Sequence, residues 1–331
     1  MEEIILKNIE TPEKCKRLLI APSFKKGEFD SHGVDCPFPF YHENRYWMTY
    51  VGFDGIGYQT GFACSDDLET WKKKGLLLGR GPKGSITEYN IAMTSILREN
   101  ELYSPGRLKK INGQFVGTYH AYPKPGYEAG PAAIGLCYSD DLLQWDIKEP
   151  VLIPDPDCSW EAGGLYKSWI LEADGTFYLF YNAKNITTGN WLEQTGVATS
   201  TDLVSWKRHG NNPILPVSST EAFDDHFASD PCVLKHGENW IMFYFGLSYD
   251  SHARNSAAFS KDLFHWEKSN KILIDIGAMG EIDSKYAHKP GIIAKGDKLY
   301  HFYCAVSPVI KKKMGNVTVT ENRGISLAVN A

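Results

Sequence analysis

Hydrophobic and polar positions along this chain alternate in short bursts rather than at helical spacing. Five aromatic runs stand out: Tyr46-Trp47-Met48-Thr49-Tyr50, Phe115-Val116-Gly117-Thr118-Tyr119, Phe177-Tyr178-Leu179-Phe180-Tyr181, Trp240-Ile241-Met242-Phe243-Tyr244 and Tyr300-His301-Phe302-Tyr303. Each is followed by a second short run: 60–63, 133–136, 195–198, 256–259 and 324–328. Leu/Ile-rich runs such as Gly75-Leu76-Leu77-Leu78 and Pro213-Ile214-Leu215-Pro216 come next. β-Branched and aromatic runs punctuated by Asn, Gly and Asp predict strands joined by tight turns.

A sequence repeat fixes how these strands are grouped. Ser-x-Asp-Leu-x-x-Trp occurs at 65–71, 139–145, 200–206 and 260–266, with its tryptophans 74, 61 and 60 residues apart. A period of this length marks a modular array whose units bury their faces against one another. Four strands per unit predict an all-β fold, a five-bladed β-propeller formed by residues 1–331 as one domain. The fifth copy ends before its fourth strand. Residues 16–22 match that strand in character, so the N-terminal strand is expected to close the last blade and remove a sheet edge. The repeated Asp67, Asp141, Asp202 and Asp262 read as turn residues that accept local backbone N–H groups.

Composition narrows the partners. The formal net charge is −5 with Lys and Arg scattered, which argues against nucleic acid and acidic membrane surfaces. No apolar stretch reaches the ~18 residues of a membrane span. Seven cysteines without a CxxC pair, several inside apolar runs, favour a reduced, cytoplasmic setting. Oligomeric state is not legible.

Candidate chemistry lies where the repeats differ. Counting back 14 or 15 residues from the aromatic-strand tyrosines gives Asp35, Ser104, Lys167, Asp230 and His288 as the starts of the innermost strands. Carboxylates at matched positions would meet in one funnel and shift apart in pKa. The loop Trp160-Glu161-Ala162-Gly163-Gly164 offers a stacking ring beside a carboxylate, suited to a general acid. His32, Arg107, His226 and Lys289 join Trp160 and Lys167 as substrate-binding candidates, and His288 is a candidate ion ligand. Residues 79–102 and 305–323 read as insertions, the latter as a solvated loop or a lid. Zinc-binding, phosphate-loop and Gly-x-Ser-x-Gly signatures are missing.

With its Ser-x-Asp-Leu-x-x-Trp turns, Ser229-Asp230-Pro231 and residues 237–244, the chain resembles the five-bladed propeller glycosidases of family 43 and its relatives 32, 62, 68, 117 and 130. The resemblance implies an exo-acting, inverting hydrolase of a small plant or microbial oligosaccharide. It implies Asp35 as base, Glu161 as acid and Asp230 as the group that tunes them. It requires no cofactor, although a calcium ion at the axis beside His288 is in keeping with it. A family-43 enzyme would place Glu where Asp230 stands and Asp where Lys167 stands. Two alternatives stay open: a phosphorylase or transglycosidase on the same scaffold, and a propeller that binds sugar without cutting it.

Overall fold

The computed structural model describes residues 2–186 and 191–330. Apart from the short helix Glu2–Ile9, the regular structure among the described residues is all strand. The strands recur in antiparallel units. The first unit is Gly33–His42, Arg45–Phe53, Tyr58–Ser65 and Lys72–Leu78, paired in chain order. The later units open with the innermost strands Ala92–Ile96, Leu165–Ala173, Phe227–His236 and Tyr286–Lys295. These four and Gly33–His42 pack side by side, and the last of them lies against Gly33–His42 again. The strands form sheets of twelve, five and four strands, none closed on itself.

The N-terminal segment adds to the end of the chain. Glu13–Lys14 pairs with the final strand Val317–Val329, and Leu19 donates its N–H to Ile325. Residues 305–323, expected as a loop or lid, are instead the far part of a hairpin between Lys298–Met314 and Val317–Val329.

The four Ser-x-Asp-Leu-x-x-Trp turns are built alike. In the first, Ser65 Oγ accepts the N–H groups of Asp67 and Leu68, while Asp67 Oδ1 accepts those of Glu69 and Thr70. Trp71 Nε1 donates to the Leu68 carbonyl at 3.0 Å. Leu68 adopts φ of 71°, and Leu142, Leu203 and Leu263 adopt 65°, 63° and 70°. A non-glycine residue in this region is held there by its surroundings. Here the turn's own hydrogen bonds and the packing of Leu and Trp do the holding, so these four aspartates are structural.

A second repeat was not legible beforehand. An acid in the loop before the innermost strand pairs with a cation on the outermost strand of its unit: Asp30 with Lys73 at 2.6 Å, Glu161 with Arg208 at 2.9 Å and Asp224 with Lys268 at 2.6 Å. The aromatic residue before each acid packs on a buried tyrosine, Phe29 on Tyr50, Trp160 on Tyr181 and Phe223 on Tyr244. In the last unit Asp283 takes its cation, Lys14, from the N-terminal segment at 2.5 Å.

One end of the axis is plugged. Arg98 is buried, donates to the carbonyls of Pro39 and Ile292 at 2.5 and 2.6 Å, and lies over the rings of Phe38 and Trp169. It thereby ties three innermost strands together, and access to the centre is from the opposite face.

Candidate active site

Each innermost strand breaks register at one place: between Asp35 and Phe38, Met93 and Ser95, Tyr166 and Ser168, Ser229 and Cys232, and His288 and Gly291. A bulge leaves a residue out of the ladder and re-aims its side chain. Four bulges hold a residue with positive φ: Cys36 at 50°, Lys167 at 37°, Asp230 at 59° and Lys289 at 58°. Strain repeated at matched positions around one axis gathers polar side chains into an otherwise apolar centre.

Asp35, Lys167, Asp230 and Lys289 meet there, lining a niche of about 20 Å³ with His120, Tyr122, Tyr166 and Glu128. Above it opens a cleft of about 470 Å³ lined by Glu128, Glu193, Asp230, His288, Lys289 and Arg323. Tyr127, Tyr166, Trp191, Phe227, Phe245 and Tyr286 form its aromatic walls. A side cleft of about 220 Å³ carries His32 beside Asp35, Phe53 and Tyr58, and shares Tyr127, Glu321 and Arg323 with the larger one. These volumes suit one or two sugar rings, and flat aromatic walls with a few polar groups are what a sugar needs.

The carboxylates differ sharply in electrostatics. Asp35 Oδ2 lies 3.0 Å from Lys289 and 2.9 Å from Arg323, and its Oδ1 accepts the Cys36 N–H. Burial alone would raise its pKa, but the two cations outweigh it and hold the carboxyl well below its ordinary range. Asp35 is thus held in its ionised form, and it anchors Lys289 and Arg323 at the floor of the cleft. Asp230 is shifted the other way, upward, chiefly by burial. Its Oδ1 accepts from Asn182, while its Oδ2 is buried without a hydrogen-bond partner.

Glu193 was not singled out from sequence. It is 4 % exposed, accepts from Ser229 Oγ at 3.1 Å, and is pushed up to about 7 by burial and then by repulsion from Glu128. Glu128 is ion-paired with Lys184 at 3.1 Å. The Lys184 ammonium sits against the rings of Tyr122, Tyr166 and Trp191. Two carboxyls lining one cleft, one of them raised to about 7, are the arrangement acid/base chemistry requires. Glu193 lies on the third strand of its unit and Glu128 in a loop. A search confined to innermost-strand starts passes over both.

Other candidates lie elsewhere. Glu161 is fully buried, held by Arg208 and by the Asp155 N–H, and Trp160 packs on Tyr181; both belong to the repeated ion-pair frame rather than the cleft. Arg107 is exposed and faces Glu99, and Ser104 also bonds Glu99. The count that placed Ser104 at a strand start assumed constant hairpin length. Residues 97–113 lengthen the second unit's hairpin, and its innermost strand is Ala92–Ile96. His226 stacks on Phe227 and Tyr249 at the rim, its pKa lowered by burial.

The calcium expectation fits these residues poorly. Asp35, His288 and Cys304 bring ligand atoms within 4.8 Å of one another. Calcium takes six to eight oxygen ligands, whereas this set offers one carboxylate, an imidazole and a thiol. Arg323 lies 3.4 Å from His288 Nε2 and Lys289 is close by, so two fixed positive charges already stand where the ion would.

Comparison with known proteins defines the class. The model described as "Glycosyl hydrolases family 32 N-terminal domain" matches residues 99–283, more than half of the chain, and the chain belongs to that family. A solved structure of an RGII complex of BT0996 is 30% identical with a TM-score of 0.84, over 99% of this protein and 94% of that one. A second, "Glycoside hydrolase", is 28% identical with a TM-score of 0.83, over 99% and 94%. Among curated relatives, the 1,2-beta-oligomannan phosphorylase of Thermoanaerobacter sp. (strain X514) is 28% identical over 132 residues, 38% of this chain and 43% of that protein. The chain spans about half the length of the curated relatives it matches. The fold is that of the propeller glycoside hydrolases, as the sequence resemblance implied. Among the described residues no helix is long and apolar enough to cross a membrane.

Proposed function

We propose that this protein is an exo-acting glycosidase that removes a terminal sugar from a short oligosaccharide, on a five-bladed propeller whose last blade is completed by the N-terminal segment. The blade reading is supported by the five innermost strands packed in a ring and by Lys14, which stands to Asp283 as Lys73, Arg208 and Lys268 stand to the acids of their own units. The observation that carries the chemistry is the pair Glu193 and Glu128 in an aromatic-walled cleft, with Glu193 pushed up to about 7. The Glu193 carboxyl proton passes to the glycosidic oxygen as the bond to the anomeric carbon breaks. Water adds to that carbon and gives its proton to Glu128, inverting the centre. Asp35 holds Lys289 and Arg323 at the floor.

A phosphate-dependent variant of this reaction has one observation in its favour: Lys285, Lys289 and Arg323 line the same cleft as the carboxylates. The test is a panel of aryl glycosides and oligosaccharides, with and without phosphate, on wild type, Glu193→Gln and Asp35→Asn. Phosphate-independent release that disappears in Glu193→Gln supports the hydrolase, and proton NMR of the first-formed anomer checks inversion. Release only with phosphate replaces it by the phosphorylase. Full activity in Glu193→Gln removes Glu193 from the chemistry.

A further inference from the structure

We propose that Lys184 is a positioning residue for the reaction, the group that makes Glu193 and Glu128 unequal. Strand register sets it opposite Glu193, but a box of Tyr122, Tyr166 and Trp191 turns its ammonium to Glu128. This rests on the glycosidase reading of the two glutamates and adds what gives them different roles.

Lys184 lies near the end of the strand Thr176–Asn185, which pairs antiparallel with Leu192–Ser200, and its partner in that register is Glu193. Directly opposed residues bring their Cβ atoms to about 4.5–5.5 Å, where opposite charges attract. Among the described residues no ion pair joins the two; the ammonium lies 3.1 Å from Glu128 Oε2 instead. It sits 3.8 Å from the centre of the Trp191 ring, 4.8 Å from that of Tyr166 and 5.1 Å from that of Tyr122. Three aromatic faces attract a cation, so the box fixes where the ammonium rests.

The backbone is held as firmly. Gly163 donates its N–H to the Lys184 carbonyl at 2.9 Å, and Lys184 donates to the Gly164 carbonyl at 3.0 Å. A Cβ on Gly163 would lie 2.8 Å from the Lys184 Cβ, so the glycines after Glu161 serve this close approach. Two residues earlier, on the same strand face, Asn182 accepts the Asp230 N–H at 2.8 Å and donates to its carboxylate. One face thus places Asp230 through Asn182 and Glu128 through Lys184. The Lys184 side chain is 4 % exposed, whereas Lys73, Arg208 and Lys268 of the repeated frame keep 19–35 %. Burying an ion pair this deeply is a poor way to gain stability alone.

The charges around Glu193 come from several elements. Beyond burial, Glu128 and Asp230 push its pKa up, while Lys184 and the Tyr166 hydroxyl pull it down. His120 is pushed down to about 3 by burial and then by Lys289, Lys167 and Lys184, so it stays neutral and takes no part in the titration. Removing Lys184 takes the cation from the state in which both glutamates are charged. The last proton of the pair should then leave at a higher pH than the wild-type value of about 7.

The test combines carbon NMR of the glutamate carboxyls with pH–rate profiles on wild type, Lys184→Met, Lys184→Arg and Glu128→Gln. The Glu193 signal is identified by its absence in Glu193→Gln. In Lys184→Met its titration and the alkaline limb of the rate should move up by about 1 pH unit. The maximal kcat should fall about 10- to 100-fold, with KM changing less, because Glu128 is no longer held in place. Lys184→Arg keeps the charge and should return both toward wild type. Glu128→Gln should move the Glu193 titration the other way, below about 7, because the repulsion is gone and the lysine remains. That variant carries the test if circular dichroism shows that Lys184→Met is unfolded. A lower melting temperature in folded Lys184→Met, with titration and kcat unmoved, would make the lysine structural and overturn the proposal. Unmoved titrations overturn it even where Glu193→Gln is inactive, whereas a fully active Glu193→Gln overturns the catalytic reading even where the titrations move.

Discussion

Glu161 and Glu193 belong to the same repeat unit, and both are buried, at 0 % and 4 % exposure, yet they are different chemical objects. Glu161 faces Arg208 and accepts the Asp155 N–H, so its charge is answered where it sits. Glu193 lines the same cleft as Glu128 and is pushed up to about 7 by burial and then by repulsion from it. Burial alone therefore does not make an acid catalyst; the sign of the neighbour decides. A Trp beside a Glu before two glycines suggests a site in one dimension, but in three it is one copy of a frame that also holds Asp30, Asp224 and Asp283.

The largest effect should separate the two glutamates by activity. Glu193→Gln removes the transferable proton and is expected to lower kcat by about 10²- to 10⁴-fold, with little change in melting temperature at about pH 4, where Glu193 is protonated in the folded and unfolded chain alike. The pH profile sharpens the point. Because the active form of Glu193 is protonated, the rate should fall as pH rises through about 7. Stability follows the same proton. The native state binds it more tightly than the unfolded chain, whose glutamate titrates near 4.5, so stability declines between about 4.5 and 7 as pH rises. Denaturant titrations across that window should show the slope in wild type and lose it in Glu193→Gln. A rate that keeps rising above pH 8 would contradict the assignment.

Glu161→Ala should do the reverse. It strands Arg208 and a part-buried N–H, and the expected loss is about 2–4 kcal/mol of stability, moderated because Arg208 is partly solvated. The rate of the remaining folded enzyme should be near that of wild type. If kcat instead collapsed with the melting temperature preserved, Glu161 would return to the catalytic set and the contrast with Glu193 would fail.

The frame was largely legible in the sequence and the site only in part, for a physical reason. Four turns that solve the same hydrogen-bonding problem use the same residues, so repetition reveals them. Lys167, Asp230 and Lys289 were reachable because their bulges fall at nearly constant distance from buried Tyr181, Tyr244 and Tyr303. The count failed in the second unit, where residues 97–113 intervene. Glu193, Glu128 and Arg323 left no periodic signal. Each enters the cleft from a different element, a third strand, a loop and the final hairpin, and only folding brings them within range of Asp230 and Asp35.

The smallest effect tests the frame against the site from the other side. Asp67 belongs to a turn far from the cleft chemistry, and it accepts two backbone N–H groups much as a helix cap does. Burial slightly raises its pKa, but those hydrogen bonds outweigh it and hold the carboxyl near 2. For a carboxylate lowered in the folded state, the stabilisation is complete above the unfolded value near 3.8 and is lost as pH falls toward 2. Asp67→Ala should thus cost about 0.5–1 kcal/mol at neutral pH, the low end for a cap because the side chain is exposed. Below pH 2 the difference from wild type should shrink, with kcat unchanged throughout. Since Leu68 is held at positive φ by the same turn, a larger loss that persists in acid would show that the carboxylate also stabilises the backbone strain, through contacts its protonated form retains.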